Sequence, residues 1–284
     1  MDALTINIPG FTIAYKRFGD PKLPPMLALH GWLDNANSFD LLAPYLEKHF
    51  HLIAIDFPGH GHSSHLPIGC NYHFIDGIFS TLQIIKGLGY QQVHLLSHSM
   101  GACLASLIAG VAPEKILSLV LLEGLGPFSN PDGTCRDQLA NYFLESSAEI
   151  NMPPRAYPSF ELAAKARAKR GYLAVEHAEI ICRRGLEEKQ KIYYWRHDQR
   201  LLIASPLTLT EGQVLSCLEN ISAKSCLIWA DKGFAFDNKI MQKRAKTIKN
   251  LETYQLTGGH HIHMENPSSV AACLAQFYGY SLSH

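Results

Sequence analysis

The sequence predicts an α/β fold in which helices cover both faces of a mostly parallel β-sheet. Short apolar runs such as "MLALHG" (26–31), "HLIAID" (51–56) and "ILSLVLLEG" (116–124) recur along the chain and lack the alternation of a half-exposed strand. Stretches with apolar residues near helical spacing separate these runs. Strands that alternate with helices in this way are typical of a parallel sheet.

The elements can be assigned in chain order. The alternating segment "FTIAYKRFG" near the start predicts an antiparallel first strand. Buried strands are then predicted at 26–31, 51–56, 93–97, 116–124, 226–231 and 251–258, with helices at 38–50, 74–89, 101–112 and 238–250. Residues 127–215 break this rhythm with three more charged helical segments. We therefore predict a core of residues 1–126 and 216–284 with a helical cap inserted at 127–215.

Composition narrows the classes of partner. Among 284 residues, 25 basic side chains balance 25 acidic ones, so no net charge favours nucleic acid or an anionic membrane. The first twenty residues lack a signal-peptide pattern, and no apolar run reaches the roughly 20 residues that span a bilayer. Seven cysteines without paired spacing predict reduced thiols and a cytoplasmic location. A small molecule is the expected partner.

The most informative stretch is "LLSHSMGA" (95–102), a buried strand that runs into a helix through Ser-His-Ser-Met-Gly. It fits the nucleophile elbow G-x-S-x-G, which places a serine hydroxyl above the sheet and needs small residues two positions before and after. Gly101 meets this requirement, whereas Ser97 replaces the first glycine. The alternative is an ordinary serine at a helix N-cap. The strand-turn-helix setting favours Ser99 as a nucleophile.

Two further segments supply the partners of such a serine. "LHGW" (29–32) closes the first buried strand, where a backbone N–H after His-Gly serves as an oxyanion donor together with the N–H that follows the nucleophile. This predicts Trp32, with Leu33 as the alternative, and Met100. The Gly-rich loop "GGHHIHMENP" follows the last predicted strand. Its position favours His260 as the base over the other two histidines of the loop.

These segments together resemble the α/β-hydrolase superfamily. "LHGWLDNANSFDLLAPYL", "IDFPGHGHSS", "SHSMG" and "GGHHIHMENP" occur in its order and spacing, and "HGWLDN" with "YYWRHDQRL" (193–201) resembles its serine hydrolase-like branch. The resemblance implies an eight-stranded sheet, a cap domain and a Ser–acid–His triad. It also implies that no metal and no organic cofactor is needed.

The acid of the triad is not at its usual place. After Trp229, where the family has G-x-x-D, Ala230 takes the glycine position and Gly233 takes the aspartate position. Glu123 ends the strand next to the one that carries Ser99, and some superfamily members take a glutamate from this strand tip. The order Ser99, Glu123, His260 also matches the superfamily order Ser…Asp/Glu…His. We predict Glu123 as the acid, with Asp231 as the alternative.

The expected activity is hydrolysis of small esters or related acyl compounds through an acyl-enzyme on Ser99. Tyr194 and Trp195 are predicted to line the substrate pocket, against the alternative of cap packing. A ligand receptor or slow hydrolase-sensor on the same fold is a second hypothesis, because two motif positions are replaced. The H-x-H-x-x-H pattern of "HGHSSH" (60–65) is close to a zinc motif, but Ser64 stands where that motif needs an aspartate.

Overall fold

The structure is a computed structural model that describes residues 4–149 and 154–281. Its strands are β1 (Leu4–Ile8), β2 (Phe11–Phe18), β3 (Pro25–Leu29), β4 (His51–Ile55), β5 (Val93–His98), β6 (Ile116–Leu122), β7 (Ala156–Tyr157), β8 (Leu186–Lys189), β9 (Ile192–Trp195), β10 (Lys224–Lys232) and β11 (Leu251–Gly259). Its helices are α1 (Ala43–Leu46), α2 (Asp76–Gly87), α3 (Met100–Val111), α4 (Cys135–Glu149), α5 (Phe160–Gly171), α6 (Val175–Gly185), α7 (Glu211–Leu218), α8 (Asn238–Thr247), α9 (Ile262–Glu265) and α10 (Pro267–Tyr278).

The main sheet has eight strands in the order β1-β2-β4-β3-β5-β6-β10-β11. Strands β1, β2 and β4 pair antiparallel, and every pair from β4 to β11 is parallel. The predicted fold class, a mostly parallel eight-stranded sheet flanked by helices, is confirmed. The carboxyl ends of β3, β5, β6, β10 and β11 consequently lie along one edge, where ligands bind in open α/β sheets.

Apolar side chains on both faces explain why the central strands read as continuous apolar runs. On β6, Leu119 and Leu121 join the core under helices α2, α3 and α7. Val120 and Leu122 join the core on the opposite face, under α1 and α10. A strand covered on both sides has no polar face to produce alternation.

One predicted core helix differs in the structure. The segment 38–50 forms a 3₁₀ turn at Ala36–Phe39 and then only the four-residue helix α1, which has Pro44 in its first turn. Proline has no N–H, so position 44 cannot donate the hydrogen bond to the carbonyl of Asp40 that would join the two pieces into one helix.

The inserted segment contains a small sheet that the sequence did not predict. Strands β7, β9 and β8 form an antiparallel three-stranded sheet beside helices α4, α5 and α6. The segment 174–190 was predicted to be helical throughout, but α6 ends at Gly185 and a hairpin follows. Gln190 and Lys191 turn the hairpin with φ values of 53° and 64°. The predicted boundary at residue 215 also falls inside α7, whose Val214 and Leu218 belong to the main core.

Two buried ion pairs connect the inserted segment to the core. Arg167 on α5 contacts the carboxylate of Asp34. Arg184 on α6 donates from Nε to both carboxylate oxygens of Asp56, at 2.9 Å each. A buried charge without its partner is costly, so these pairs hold the inserted segment over the sheet edge.

Two further predictions from composition can be compared with the structure. None of the seven cysteines, all within the described residues, is in a disulfide. Of the helices in the described part of the chain, none is both long and apolar enough to cross a membrane.

Candidate active site

Ser99 stands on a strained turn between β5 and α3. Its φ and ψ are 51° and −116°, a conformation that a nucleophile elbow imposes on its serine. A Cβ on Gly101 would overlap the carbonyl oxygen of Leu29, so glycine is required where helix and strand cross. Ser97 is accommodated because its Oγ donates to the carbonyl oxygen of Val120 at 2.7 Å. Replacing the first glycine of the motif has therefore not altered the elbow.

The structure brings Ser99, His260 and Glu123 into one hydrogen-bonded row. His260 Nε2 lies 2.8 Å from Ser99 Oγ, and His260 Nδ1 lies 3.0 Å from Glu123 Oε2. In this arrangement Nδ1–H donates to the carboxylate, which leaves Nε2 to accept the serine proton. A hydroxyl, an imidazole and a buried carboxylate in this geometry can activate the hydroxyl for attack on a carbonyl.

Glu123 is held firmly at the end of β6. Its side chain is 1% exposed, and its φ of 55° turns the chain sharply after the strand. Oε1 accepts from the N–H of Ala230 at 2.6 Å, and Oε2 accepts from the N–H of Phe234 at 3.0 Å. Backbone donors from the end of β10 and from the loop after it thus fix the direction of the carboxylate.

Gly233 explains why the acid can come from β6. A Cβ on Gly233 would lie closer than 3.0 Å to the Glu123 carboxylate. The carboxylate therefore fills the space that a side chain at position 233 would need. Asp231, the alternative acid, points elsewhere: it is exposed, and its Oδ1 accepts from the N–H of Gly258 at 2.9 Å. Asp231 does not contact His260.

The two predicted oxyanion donors, Trp32 and Met100, border the same cavity as Ser99. Met100 is the first residue of α3, so its N–H has no partner within the helix. Among hydrogen bonds between described residues, none uses the N–H of Trp32. The N–H of Leu33, the alternative donor, is already directed at His60 Nε2 at 3.3 Å. The Trp32 ring is not core: it is 42% exposed, and its Nε1 donates to the carbonyl oxygen of Leu201 at 3.0 Å.

A buried network behind the row connects its loops. His98 Nε2 donates to the carbonyl oxygen of His260 at 2.8 Å, and His261 Nε2 donates to Asp34 Oδ2 at 3.1 Å. Burial opposes ionisation of Asp34, but the charge of Arg167 and the contact with His261 hold the pKa of that carboxyl well below its usual value. Burial lowers the pKa of His98 well below its usual value. One ionised carboxylate thus joins the elbow, the oxyanion turn and the histidine loop.

This network also contains a possible set of metal ligands. Within residues 4–149 and 154–281, ligand atoms of Asp34, His98 and His261 lie within 4.8 Å of one another. Arg167 already supplies the positive charge that the Asp34 carboxylate needs. The group is consequently balanced electrostatically by the protein's own side chains.

The histidines of "HGHSSH" do not converge on a common point. His60 Nδ1 donates to the carbonyl oxygen of Pro58 at 3.1 Å, and the ring of His65 contacts the carbonyl oxygen of Arg196 through Nε2 at 2.8 Å. The backbone N–H of His62 donates to Asp56 Oδ2 at 2.8 Å. These residues shape the loop around Asp56.

A large cavity opens above Ser99 and His260. Its volume is about 2170 Å³, several times the roughly 300–1,000 Å³ of ordinary small-molecule pockets. Its lining is mostly apolar and includes Phe79, Phe128 and Trp195. The cavity is therefore larger than the predicted small esters require.

The two predicted pocket residues have different positions. Trp195 lines the large cavity and also borders a separate, smaller depression beside Lys189. Tyr194 borders the smaller depression and is not among the residues that line the large cavity. Tyr194 and Trp195 are consecutive residues of strand β9, so their side chains point to opposite faces of the small sheet.

Comparisons with known proteins identify the family of the chain. The model of the alpha/beta hydrolase fold family matches residues 24–267. The chain belongs to the α/β-hydrolase family. A serine hydrolase-like protein of Dictyostelium discoideum is 34% identical over 94% of this chain and 79% of its own length. A probable serine hydrolase of Drosophila melanogaster is 28% identical over 97% of this chain and 87% of its own length.

Solved structures of similar fold superpose on this α/β-hydrolase over almost its whole length. A hypothetical protein of Pseudomonas aeruginosa superposes with a TM-score of 0.92 at 34% identity, covering 98% of this chain and 100% of that one. The thioesterase domain from the curacin biosynthetic pathway superposes with a TM-score of 0.85 at 25% identity, covering 97% and 99%.

Sequence reasoning did not find the network residues Asp34, His98 and His261. These three residues lie next to predicted site residues in the sequence: Asp34 follows the oxyanion turn, His98 precedes Ser99, and His261 follows His260. Polar side chains at these positions could have indicated a supporting network. Their joint contact depends on how the loops meet, which no local pattern encodes.

Proposed function

We propose that this α/β-hydrolase is a serine hydrolase that cleaves acyl esters or related acyl compounds through an acyl-enzyme on Ser99. The observation that carries the proposal is the continuous row from Ser99 Oγ through His260 to Glu123, with separations of 2.8 and 3.0 Å. Thioesters remain within the proposed class, and the likeness to a thioesterase domain supports their inclusion. The cavity volume extends the expected substrates from small to bulky acyl groups.

The reaction follows from the geometry. Ser99 Oγ attacks the acyl carbon while its proton passes to His260 Nε2, and the charge of Glu123 stabilises the imidazolium. The N–H groups of Trp32 and Met100 bind the negative oxygen of the tetrahedral intermediate. His260 then gives its proton to the leaving group, and the acyl group stays on Ser99. Water deprotonated by His260 releases the acid and restores the serine.

The receptor hypothesis depended on two motif replacements. Both have structural compensation: the Ser97 hydroxyl bonds to Val120, and Gly233 leaves room for Glu123. These contacts favour an enzyme over a binding protein with a degenerate site.

The test is covalent labelling combined with turnover. Purified protein should hydrolyse p-nitrophenyl esters, and an alkyl fluorophosphonate should add to Ser99, as located by peptide mass spectrometry. Ser99→Ala should abolish both labelling and turnover without lowering the melting temperature by more than a few degrees. An adduct on Ser97, or undiminished turnover in Ser99→Ala, would refute the assignment.

A further inference from the structure

The lining of the cavity carries more basic than acidic side chains. Among described lining residues, the basic side chains are Arg155, Arg167, Lys169, Arg170 and Lys232, and the carboxylates are Asp34, Asp76 and Glu145. Arg167 pairs with Asp34. For Lys169 and Arg170, no described carboxylate lies within ion-pair distance.

Arg170 lines the cavity and lies over the ring of Trp32. Its guanidinium carbon lies 5.3 Å from the ring centroid of Trp32, whose backbone belongs to the oxyanion turn. Trp32 is in turn anchored through its Nε1 to the carbonyl oxygen of Leu201. Stacking on an anchored aromatic ring orders the guanidinium and leaves its N–H donors available at the ring edge.

A second observation reports the electrostatic field in this region. His197 lines the same cavity, and burial, followed by the charges of Arg170 and Arg167, lowers its pKa to about 4. The imidazole is therefore neutral at physiological pH and adds a hydrogen-bonding group without adding charge. Burial opposes a charge of either sign, so only the smaller contribution from Arg170 and Arg167 favours a negative charge on a ligand here.

The helix dipole of α5 explains part of this positive charge. Lys169 and Arg170 occupy its last turn, where cations interact favourably with the helix dipole. That effect accounts for positive charge at the helix end. It does not account for the position of Arg170 over the ring of Trp32, which also lines the cavity.

We propose that Arg170 forms an anion-binding subsite, so that the preferred substrates are bulky acyl compounds bearing a carboxylate or phosphate. The apolar lining takes the acyl chain, and the guanidinium donates charge-assisted hydrogen bonds to the anionic group. The inference depends on the serine hydrolase function proposed above, because it names the substrate class of the same cavity.

The experiment compares substrates of matched length. The probes are p-nitrophenyl octanoate, which is neutral, the mono-p-nitrophenyl ester of octanedioic acid, which adds a carboxylate, and octanoyl-CoA, which carries phosphates on the leaving group. Each is assayed for kcat/KM with the wild type, Arg170→Gln, Arg170→Lys and the control Lys165→Gln. Lys165 lies on the exposed side of α5 and does not line the cavity.

We expect Arg170→Gln to lower the ratio of kcat/KM for an anionic probe over the neutral ester about tenfold or more, since hydrogen bonds to charged groups are lost. Arg170→Lys should keep part of the ratio, and Lys165→Gln should keep all of it. The probe whose ratio falls identifies whether the anion belongs to the acyl chain or to the leaving group.

An unchanged ratio for both anionic probes in Arg170→Gln overturns the subsite. An equal loss on all three probes together with a lowered melting temperature also overturns it, because Arg170 is then structural. Turnover of the neutral ester by the wild type separates these outcomes from failure of the proposed function, in which no probe is hydrolysed.

Discussion

Replacing Glu123 by glutamine removes a charge from the site while preserving the shape of the side chain. Oε1 accepts one backbone N–H, and Oε2 accepts both a backbone N–H and His260 Nδ1–H. An amide has only one oxygen, so in either orientation its NH₂ group faces an N–H donor. The shorter contact, at Oε1, favours keeping the oxygen there; the NH₂ group then faces His260 Nδ1 and donates to it, which selects the wrong tautomer. By analogy with triad acids elsewhere, kcat should fall by about 10³–10⁴-fold.

Exchanging the residues at positions 123 and 233 tests the spatial argument directly. Gly233→Asp alone should lose activity and stability, because its Cβ overlaps the Glu123 carboxylate and a second negative charge is buried beside it. Glu123→Gly should lose activity but fit the backbone, since glycine readily adopts the φ of 55°. The double exchange places an acid at the usual family position and vacates the overlapping space. We expect it to recover at least about tenfold in kcat over Glu123→Gly, a fraction of the 10³–10⁴ that a triad acid contributes.

The assay is kcat with saturating p-nitrophenyl ester, after circular dichroism and thermal melting show that each variant is folded. Asp231→Asn is the matched control: the Asp231 carboxylate accepts a hydrogen bond from the N–H of Gly258, an asparagine oxygen can accept the same bond, and the variant should change kcat less than tenfold. A loss below tenfold for Glu123→Gln would refute the assignment of the acid. A large loss for Asp231→Asn with a small loss for Glu123→Gln would transfer the role to Asp231.

Two further predictions concern the cavity and a buried histidine. Trp195→Ala should change the ratio of kcat/KM for short and long acyl esters by more than tenfold, because Trp195 lines the large cavity. Tyr194→Ala, on the opposite face of β9, should leave that ratio unchanged. A lower melting temperature with an unaltered ratio in Trp195→Ala would indicate that Trp195 only packs the inserted segment. Burial lowers the pKa of His263 to about 3, so below pH 6.5 the unfolded chain binds a proton that the folded chain does not. The free energy of unfolding should fall by about 1.4 kcal/mol per pH unit for this histidine as pH drops from 6.5 towards 4. Urea unfolding at several pH values would measure this, and an identical slope in His263→Gln would contradict it.

The central strands were predictable because a strand that is buried on both faces has a continuous run of apolar residues. Strands β3 to β6 consist largely of apolar residues whose side chains point alternately into two cores. The elbow was predictable for a related reason: Gly101 must pass the backbone of Leu29 closely, and that steric need is local to the motif.

The hairpin of β8 and β9 was missed because its turn does not use the residues that usually reveal one. Two-residue turns with φ > 0 at both central positions favour Asn-Gly or Asp-Gly. Here Gln190 and Lys191 adopt those angles, after the charged segment "LEEK", which has good helix formers. Tertiary context has overridden local propensity, since β9 also pairs with β7 from an earlier part of the chain.

The contact between Glu123 and His260 was only partly predictable, because it depends on two residues that are far apart in the sequence. A glutamate at the end of β6 and a glycine in the loop after β10 are each unremarkable alone. Together they are complementary: the carboxylate of Glu123 needs the volume that Gly233 leaves free, and it takes the backbone N–H of Phe234 as a donor. A side chain restored at position 233 without removing Glu123 would crowd the site. The missing aspartate is thus evidence for the glutamate, because an empty position in the loop is the condition that lets a carboxylate from the neighbouring strand reach His260.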